Sequence, residues 1–279
     1  MIKLQNFDIN LKDTITCGQC FRFYEENDGS FTIILKDRVI NIKNDEYNNL
    51  FIESDNEENL EEIIIDYFDL ERNYDEINQI LLKKDKTLNK CIKDSKGLKI
   101  LKQEPFEMLI SYIISQNNKV SRISNSVNYL CERYGKKVVF RNKEYYLFPT
   151  IDQIKNISLE VLKESKVGFR DKYILSVIEN INNGNLNIES ITNMNTNDAL
   201  EYLEKMKGIG PKVASCILLF GYSRFDVFPI DTWVKKAMSV LYSDIGQSQK
   251  NISEFAKEKY GEYCGIALQY MYHSMRNIK

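Results

Sequence analysis

The hydrophobic period of this chain changes once along its length, and that change limits the fold more than any other feature. In the first fifty residues the apolar runs are short and β-rich. Phe21-Arg22-Phe23-Tyr24 and Phe31-Thr32-Ile33-Ile34-Leu35 flank an Asp28-Gly29 turn signal, which is hairpin form. Arg38-Val39-Ile40-Asn41-Ile42 is expected to add a third strand. From about Asn59 the period becomes helical, with Leu60, Ile63, Ile64, Tyr67 and Phe68 recurring on one face. The acidic residues of 53–76 fall on the other face. After that only Val138-Val139-Phe140 and Tyr145-Tyr146-Leu147, turning at Arg141-Asn142-Lys143, pattern as strands. From about residue 105 the chain reads as amphipathic helices with short connections. Pro105 opens one, followed by Phe106, Leu109, Ile110 and Ile113. Thr196 or Asn197 is expected to cap a helix through Met206, and Gly208 to end it. Pro211 opens the next, Gly221 closes it, and Asp231 is placed to cap another. The pattern predicts an α+β protein. A small mixed α/β N-terminal domain with an antiparallel sheet, residues 1–95, sits on a mostly α-helical body, residues 96–279.

Composition excludes several classes. With 279 residues, 43% of them apolar, the chain can bury a full core without disulfides and is too apolar for a disordered tail. Its six cysteines are expected to be reduced cytosolic thiols. Met1-Ile2-Lys3-Leu4 lacks the layout of a secretory leader, and no apolar run approaches the roughly 18 residues of a membrane span. A cytoplasmic protein with no membrane partner is expected. The single histidine, His273, excludes multi-His metal sites and any Ser-His-Asp triad that does not use it. The net charge of −2 conceals a division, since residues 1–80 carry −12 and the remainder +10. That asymmetry suits a polyanion-binding body joined to an acidic domain, although two solvated surfaces would give the same numbers.

The segment Leu203-Glu204-Lys205-Met206-Lys207-Gly208-Ile209-Gly210-Pro211-Lys212-Val213-Ala214 carries the most chemical information. Two glycines one residue apart, between two helices, make a tight turn with exposed N–H groups. A helix starting immediately afterwards adds its positive dipole end, so the corner suits a phosphate oxygen. Lys212 lies in the first turn of that helix. A lysine at its ordinary pKa near 10.4 is almost wholly protonated at pH 7, so use as a nucleophile requires a lower value. Asp231, in Phe228-Pro229-Ile230-Asp231-Thr232-Trp233, heads another helix. It can be a plain N-cap, and Lys212 a plain surface lysine. Together they can also serve as amine nucleophile and as stabiliser of a cationic transition state.

These residues resemble the helix–hairpin–helix, Gly/Pro-rich loop and Asp motif of the base-excision DNA glycosylases. Within that superfamily, a Lys two residues after the second hairpin Gly is similar to the bifunctional glycosylase/lyase members. Cys264 is the sole cysteine beyond residue 216, so the four-cysteine iron–sulfur cluster of the endonuclease III branch cannot form. The chain thus resembles the 8-oxoguanine DNA glycosylase/lyase family almost end to end. Cys17-Gly18-Gln19-Cys20-Phe21-Arg22 is similar to the family's Gly-Gln-x-Phe-Arg segment, where the Gly carbonyl, here Gly18, accepts from N7–H of the oxidised base. No second Cys or His pair completes a zinc site with Cys17 and Cys20. Gln116-Asn117-Asn118-Lys119-Val120-Ser121-Arg122 resembles the DNA-facing loop. By that resemblance Asn117 fills the space of the flipped base, Arg122 and Arg170 read the orphaned cytosine, and Phe169 wedges into the gap. Cys216 packs on one side of the base, Tyr272 on the other where many members have Phe, and Phe220 lines the same wall as Cys216. Leu268 stands where the family usually has Gln, with Gln269 beside it. Trp233 stands where some members place a phosphate-contacting His. Gly208 and Gly210 hold phosphate.

The resemblance implies a monomeric enzyme of helix-hairpin-helix glycosylase fold. It would act on double-stranded DNA containing oxidised guanine, with Lys212 and Asp231 catalytic and no metal or organic cofactor required. Phosphate contact by the basic body should make binding weaken with salt. Leu268 leaves open a related bifunctional glycosylase for another lesion. A non-catalytic DNA-binding module is the remaining alternative.

Overall fold

In the computed structural model, which describes residues 1–276, the N-terminal part is a five-stranded antiparallel sheet. Its strands are β1 (Ile2–Leu4), β2 (Phe23–Glu25), β3 (Phe31–Ile34), β4 (Val39–Asn44) and β5 (Leu50–Ser54), ordered β1-β5-β4-β3-β2. The register pairs Phe31 with Ile42 and Ile33 with Ile40. Phe31, Ile33, Ile40, Ile42, Leu50 and Ile52 pack in one core with Leu60, Ile64 and Phe68 from the helix Leu60–Tyr67 and its C-cap. Successive strand residues face opposite sides of a sheet. The other side carries Asn41, whose amide donates to Ser30 Oγ at 2.9 Å and Thr32 Oγ1 at 3.3 Å. The expected strands at 31–35 and 38–42 are present within two residues. β1, β5 and the six-residue helix Leu11–Thr16 are additions. The second hairpin forms between Lys137–Phe140 and Lys143–Tyr146. Arg141 and Asn142 both take positive φ, 49° and 60°, as a two-residue type I′ turn requires.

The rest is helical, and its centre is the antiparallel-sheet-free core between Pro105–Ser115 and Pro211–Gly221. Ile110, Ile113, Ile114, Leu218 and Leu219 are all fully buried there. Both helices start with Pro at the first position, where its missing N–H costs nothing. The cap of Thr196–Glu204 is Asn195, one residue earlier than expected: its side chain accepts from the Asp198 amide at 3.0 Å. The two cores do not divide the chain at one point, since Leu101 packs under the sheet while earlier segments do not. Tyr74, Ile77, Leu81, Leu88 and Cys91 side with the helical core rather than with the sheet, because the helices Tyr74–Lys84 and Asn89–Asp94 turn their apolar faces toward the C-terminal helix Cys264–Arg276 and its neighbours.

Gln19 fastens the two parts together. It is fully buried, and its amide donates to Lys99 O at 2.7 Å and Thr14 O at 2.9 Å while its Oε1 accepts from the Leu101 amide at 2.9 Å. A buried amide with each group paired is a strong positional constraint, and it holds the adjacent Gly18 against the helical body. A second buried cluster anchors the helix that follows Asp231. Tyr242, the C-cap of Thr232–Leu241, donates to Asp85 Oδ2 at 2.6 Å, and Tyr260 donates to the same oxygen at 2.9 Å. Among the described residues no helix is long and apolar enough to cross a membrane.

Candidate active site

The turn between Thr196–Glu204 and Pro211–Gly221 is built by its two glycines in different ways. Gly208 has φ +90°, and a Cβ there would stand 2.2 Å from Tyr173 Cγ. Only glycine fits that conformation and that space. Gly210 caps the second helix with no side-chain bond, and a Cβ on it would meet nothing within 4 Å. The start of an eleven-residue helix is thus unobstructed at Gly210, and the unpaired N–H groups of a helix's first turn favour an anion. Tyr173 in turn packs edge-on against Phe169, with centroids 6.1 Å apart. Phe169 is 58% exposed, so it is not folded back into the core. Gly208→Ala is expected to displace Tyr173 and the Phe169 loop. We expect a loss of about 1–3 kcal/mol in stability, and duplex binding at least about tenfold weaker by fluorescence anisotropy. Unchanged affinity would show that the hairpin does not grip DNA.

Lys212 and Asp231 face one cleft of about 900 Å³. Its walls also carry Gly18, Asn117, Asn118, Gly210, Cys216, Phe220, Trp233, Leu268 and Tyr272. Segments separated by most of the chain length thus converge on one cleft. Asp231 is half-buried, and its Oδ1 accepts from the Val234 amide at 2.8 Å, so it caps Thr232–Leu241 and faces the cleft at once. Lys212 is also half-buried, with Nζ 5.3 Å from the centroid of the Tyr112 ring. Burial pushes the Cys216 thiol up; the Lys212 ammonium pulls the other way and the Asp231 carboxylate adds to the rise. Cys216 therefore stays a neutral, packing thiol at pH 7. Trp233 is 41% exposed at the rim, with Lys236 Nζ 5.7 Å from its ring centroid.

Three of the expected residues, and Gln269 beside Leu268, stand differently from the rest. Arg170 is buried, and its guanidinium donates to the main-chain oxygens of Gln116, Val167 and Asn117. It supports the loop that presents Asn117, which is itself exposed and left-handed at φ 46°. Asn118 donates to Ile114 O at 3.1 Å and accepts from the Lys119 amide at 2.9 Å, closing the end of Pro105–Ser115. Gln269, the neighbour of Leu268, points its amide at Cys17, 3.3 Å from O and 3.1 Å from Sγ. Arg122 is exposed on the first turn of Val120–Tyr134 and is not among the cleft-lining residues.

Cys17 and Cys20 lie in different cores, the first in the helical one and the second under the sheet. His273 does meet a serine and an aspartate: Ser95 Oγ is 3.0 Å from Nδ1 and Asp13 Oδ1 is 3.4 Å from Nε2. Ser95 is 2% exposed and none of the three lines the cleft, so the group ties helices together. A second cavity, about 950 Å³, lies between the sheet and the Pro105 turn around Arg22 and Glu107, and contains neither Lys212 nor Asp231. Residues that sequence reasoning missed are Tyr112, Gln116 and Arg276. Gln116 ties the loop to the hairpin by donating to Gly208 O at 3.0 Å. Arg276 and Tyr112 line the cleft beside Gly18. A tyrosine within an apolar helix reads as core, and nothing local marks it as site.

A helix–hairpin–helix, a lysine at the second helix's start and a capping aspartate in one cleft define a base-excision DNA glycosylase body, and residues 110–262 match the HhH-GPD superfamily of base excision DNA repair proteins. Residues 1–109 match the N-terminal domain of 8-oxoguanine DNA glycosylase. The chain belongs to the 8-oxoguanine DNA glycosylase family of that superfamily. It is similar to the 8-oxoguanine glycosylase/lyase of Clostridium acetobutylicum, solved with duplex DNA carrying cytosine opposite 8-oxoguanine. The two are 39% identical, over 97% of this chain and 92% of that one, with a TM-score of 0.92. It also resembles MBOgg1, solved with a low-affinity DNA ligand, at 35% identity over 99% and 95% of the two chains and a TM-score of 0.94. A probable N-glycosylase/DNA lyase of Methanothermobacter thermautotrophicus is 29% identical over 75% of this chain and 72% of its own.

Proposed function

We propose that this chain removes 8-oxoguanine from duplex DNA and then cuts the strand at the resulting site. The observation that carries the reading is the convergence of Lys212 and Asp231 in one cleft with Gly18, Cys216 and Tyr272. The damaged nucleotide is turned out of the stack, because its sugar carbon is unreachable inside the duplex. The free amine of Lys212 attacks C1′ as the C1′–N9 bond breaks, and the base leaves with the electron pair and gains a proton. The Asp231 carboxylate offsets the positive charge that develops on the sugar. Ring opening at O4′ gives a Schiff base on Lys212. Loss of a C2′ proton then expels the 3′ phosphate by β-elimination, and water releases the lysine. In this reading Asn117, Phe169 and Trp233, all exposed, meet the bent duplex, and the hairpin at Gly210 takes a phosphate. The cytoplasmic location expected from the sequence is consistent with access to such DNA.

The test is a single-turnover assay on a duplex with one 8-oxoguanine opposite cytosine, run beside duplexes carrying guanine, oxidised pyrimidines or alkylated purines. Release of 8-oxoguanine with strand nicking is expected. Leu268 favours one second reading, a related bifunctional enzyme for another lesion. It is 4% exposed and apolar in the base-side wall, with Gln269 turned away toward Cys17. Faster release of another damaged base in the same panel would select that reading.

A further inference from the structure

Tyr112 joins the two halves of this site. It lies on Pro105–Ser115, is 3% exposed, and forms part of the cleft wall. Its ring is stacked on Phe220, with centroids 5.5 Å apart and planes 11° apart, and is edge-on to Phe21 at 5.6 Å. Lys212 Nζ stands 5.3 Å from the centroid of the same ring. An ammonium over an aromatic face is held by the ring's negative quadrupole, so the ring restricts where the Lys212 side chain rests before it gives up its proton. At the other end, the hydroxyl donates toward Gly18 O and Gln19 O, each at 3.4 Å. Burial pushes the phenol well above its usual range, so it stays a neutral donor. Gly18 has φ +87°, and a Cβ on it would meet Tyr272 Oη at 3.3 Å, so two tyrosines stand close to this residue. A carbonyl oxygen has two lone pairs, so a long bond from Tyr112 orients it and leaves the second lone pair available.

We propose that Tyr112 is a positioning residue that sets lesion selectivity. Its hydroxyl aims the Gly18 carbonyl at an N–H that oxidised purines carry and ordinary purines lack, while its ring seats the Lys212 amine. Recognition of the base and attack on the sugar are thereby registered to one rigid side chain. The assignment rests on the glycosylase/lyase reading above. With Leu268 apolar, the polar control of base identity moves to the Gly18 side of the cleft.

The variant Tyr112→Phe keeps the ring and removes the hydroxyl. Two single-turnover rates are compared on the same duplex sequence: release of 8-oxoguanine opposite cytosine, and nicking at a preformed abasic site, which offers no base to read. The ratio of the first to the second is expected to fall about fivefold or more, the worth of one neutral hydrogen bond. Because both rates come from one preparation, the ratio does not depend on the folded fraction. Tyr112→Leu, which also removes the ring, is expected to slow nicking as well and to lower borohydride trapping of the Lys212 adduct. An unchanged ratio in Tyr112→Phe would overturn the proposal while wild-type excision upheld the glycosylase reading. Wild-type nicking of abasic DNA without 8-oxoguanine release would overturn both.

Discussion

Lys212→Gln is expected to abolish borohydride trapping on 8-oxoguanine duplexes and to lower base release by roughly 10⁴-fold or more, the scale on which enzymes lose rate when a covalent nucleophile is removed. Glutamine keeps most of the side-chain length and its packing near Tyr112, and it lacks a nucleophilic amine. Lys212 has no ion pair within the bridging distance among the described residues, so the substitution breaks no salt bridge, and stability should move by only about 0.5 kcal/mol. Duplex affinity should stay within a few-fold, because the hairpin amides and the exposed Asn117 and Trp233 remain. A covalent adduct that persists in Lys212→Gln would mean that another amine carries the chemistry. Full DNA binding with no nicking by the wild type would point instead to a non-catalytic binding module.

Asp231→Asn separates two roles that share one carboxylate. Oδ1 accepts the Val234 amide bond at 2.8 Å as the N-cap of Thr232–Leu241. Asn caps a helix about as well as Asp, so the cap survives and only the charge is lost. Melting should shift by no more than the roughly 0.3–1 kcal/mol that a carboxylate contributes at a helix start. Base release should fall about 10²- to 10³-fold, the scale on which a lost electrostatic stabiliser of the transition state lowers rate. Asp231→Ala should lose the same rate and about 1 kcal/mol more of stability. Circular dichroism melts beside single-turnover kinetics read both. If Asp231→Asn excised at the wild-type rate, the residue would be a helix cap and nothing more.

Local signals carried a large part of the fold. The Asp28-Gly29 turn is real: Gly29 has φ +79°, and Glu26 and Ser30 bond across it. Pro211 and Asp231 occupy the terminal positions that their chemistry suggests. Gly208 is left-handed but does not end the preceding helix, which stops at Glu204 with Lys205 as its cap, so the glycine turns the hairpin instead. Those features depend on backbone conformation within a few residues, so a linear reading finds them. β1 and β5 were not found, because Ile2–Leu4 and Leu50–Ser54 are too short to show a period and become strands by pairing with each other and with β4. The helix Leu11–Thr16 is six residues long and is held by its Asn10 cap and by burial of Leu11 and Ile15, inside a stretch whose general character is β. The helices of 74–94 went to the helical core for a similar reason: which core receives an amphipathic face is decided by neighbours far along the chain.

The proposed catalytic pair was legible because Lys212 and Asp231 sit at helix starts that glycine, proline and the cap residue mark directly in the sequence. Membership in the family was legible for the same reason, since the hairpin, the Gly18 segment and the Asn117 loop are short contiguous motifs. What the amino-acid order could not state is which polar side chains are already spent. Arg170 is committed to the carbonyls of Gln116 and Asn117, Asn118 to a helix end, and Gln269 to Cys17, 252 residues away. Each commitment depends on acceptors delivered by another segment. So does Tyr112, whose hydroxyl meets Gly18 and whose ring meets Lys212 only after both segments have packed on Pro105–Ser115. The sequence by itself determined the reactive groups and the turns that display them, because those rest on covalent neighbours. Only the packed fold settles which groups face the cleft and which are tied to main-chain oxygens, because a buried donor must be paired and its partner comes from elsewhere in the chain.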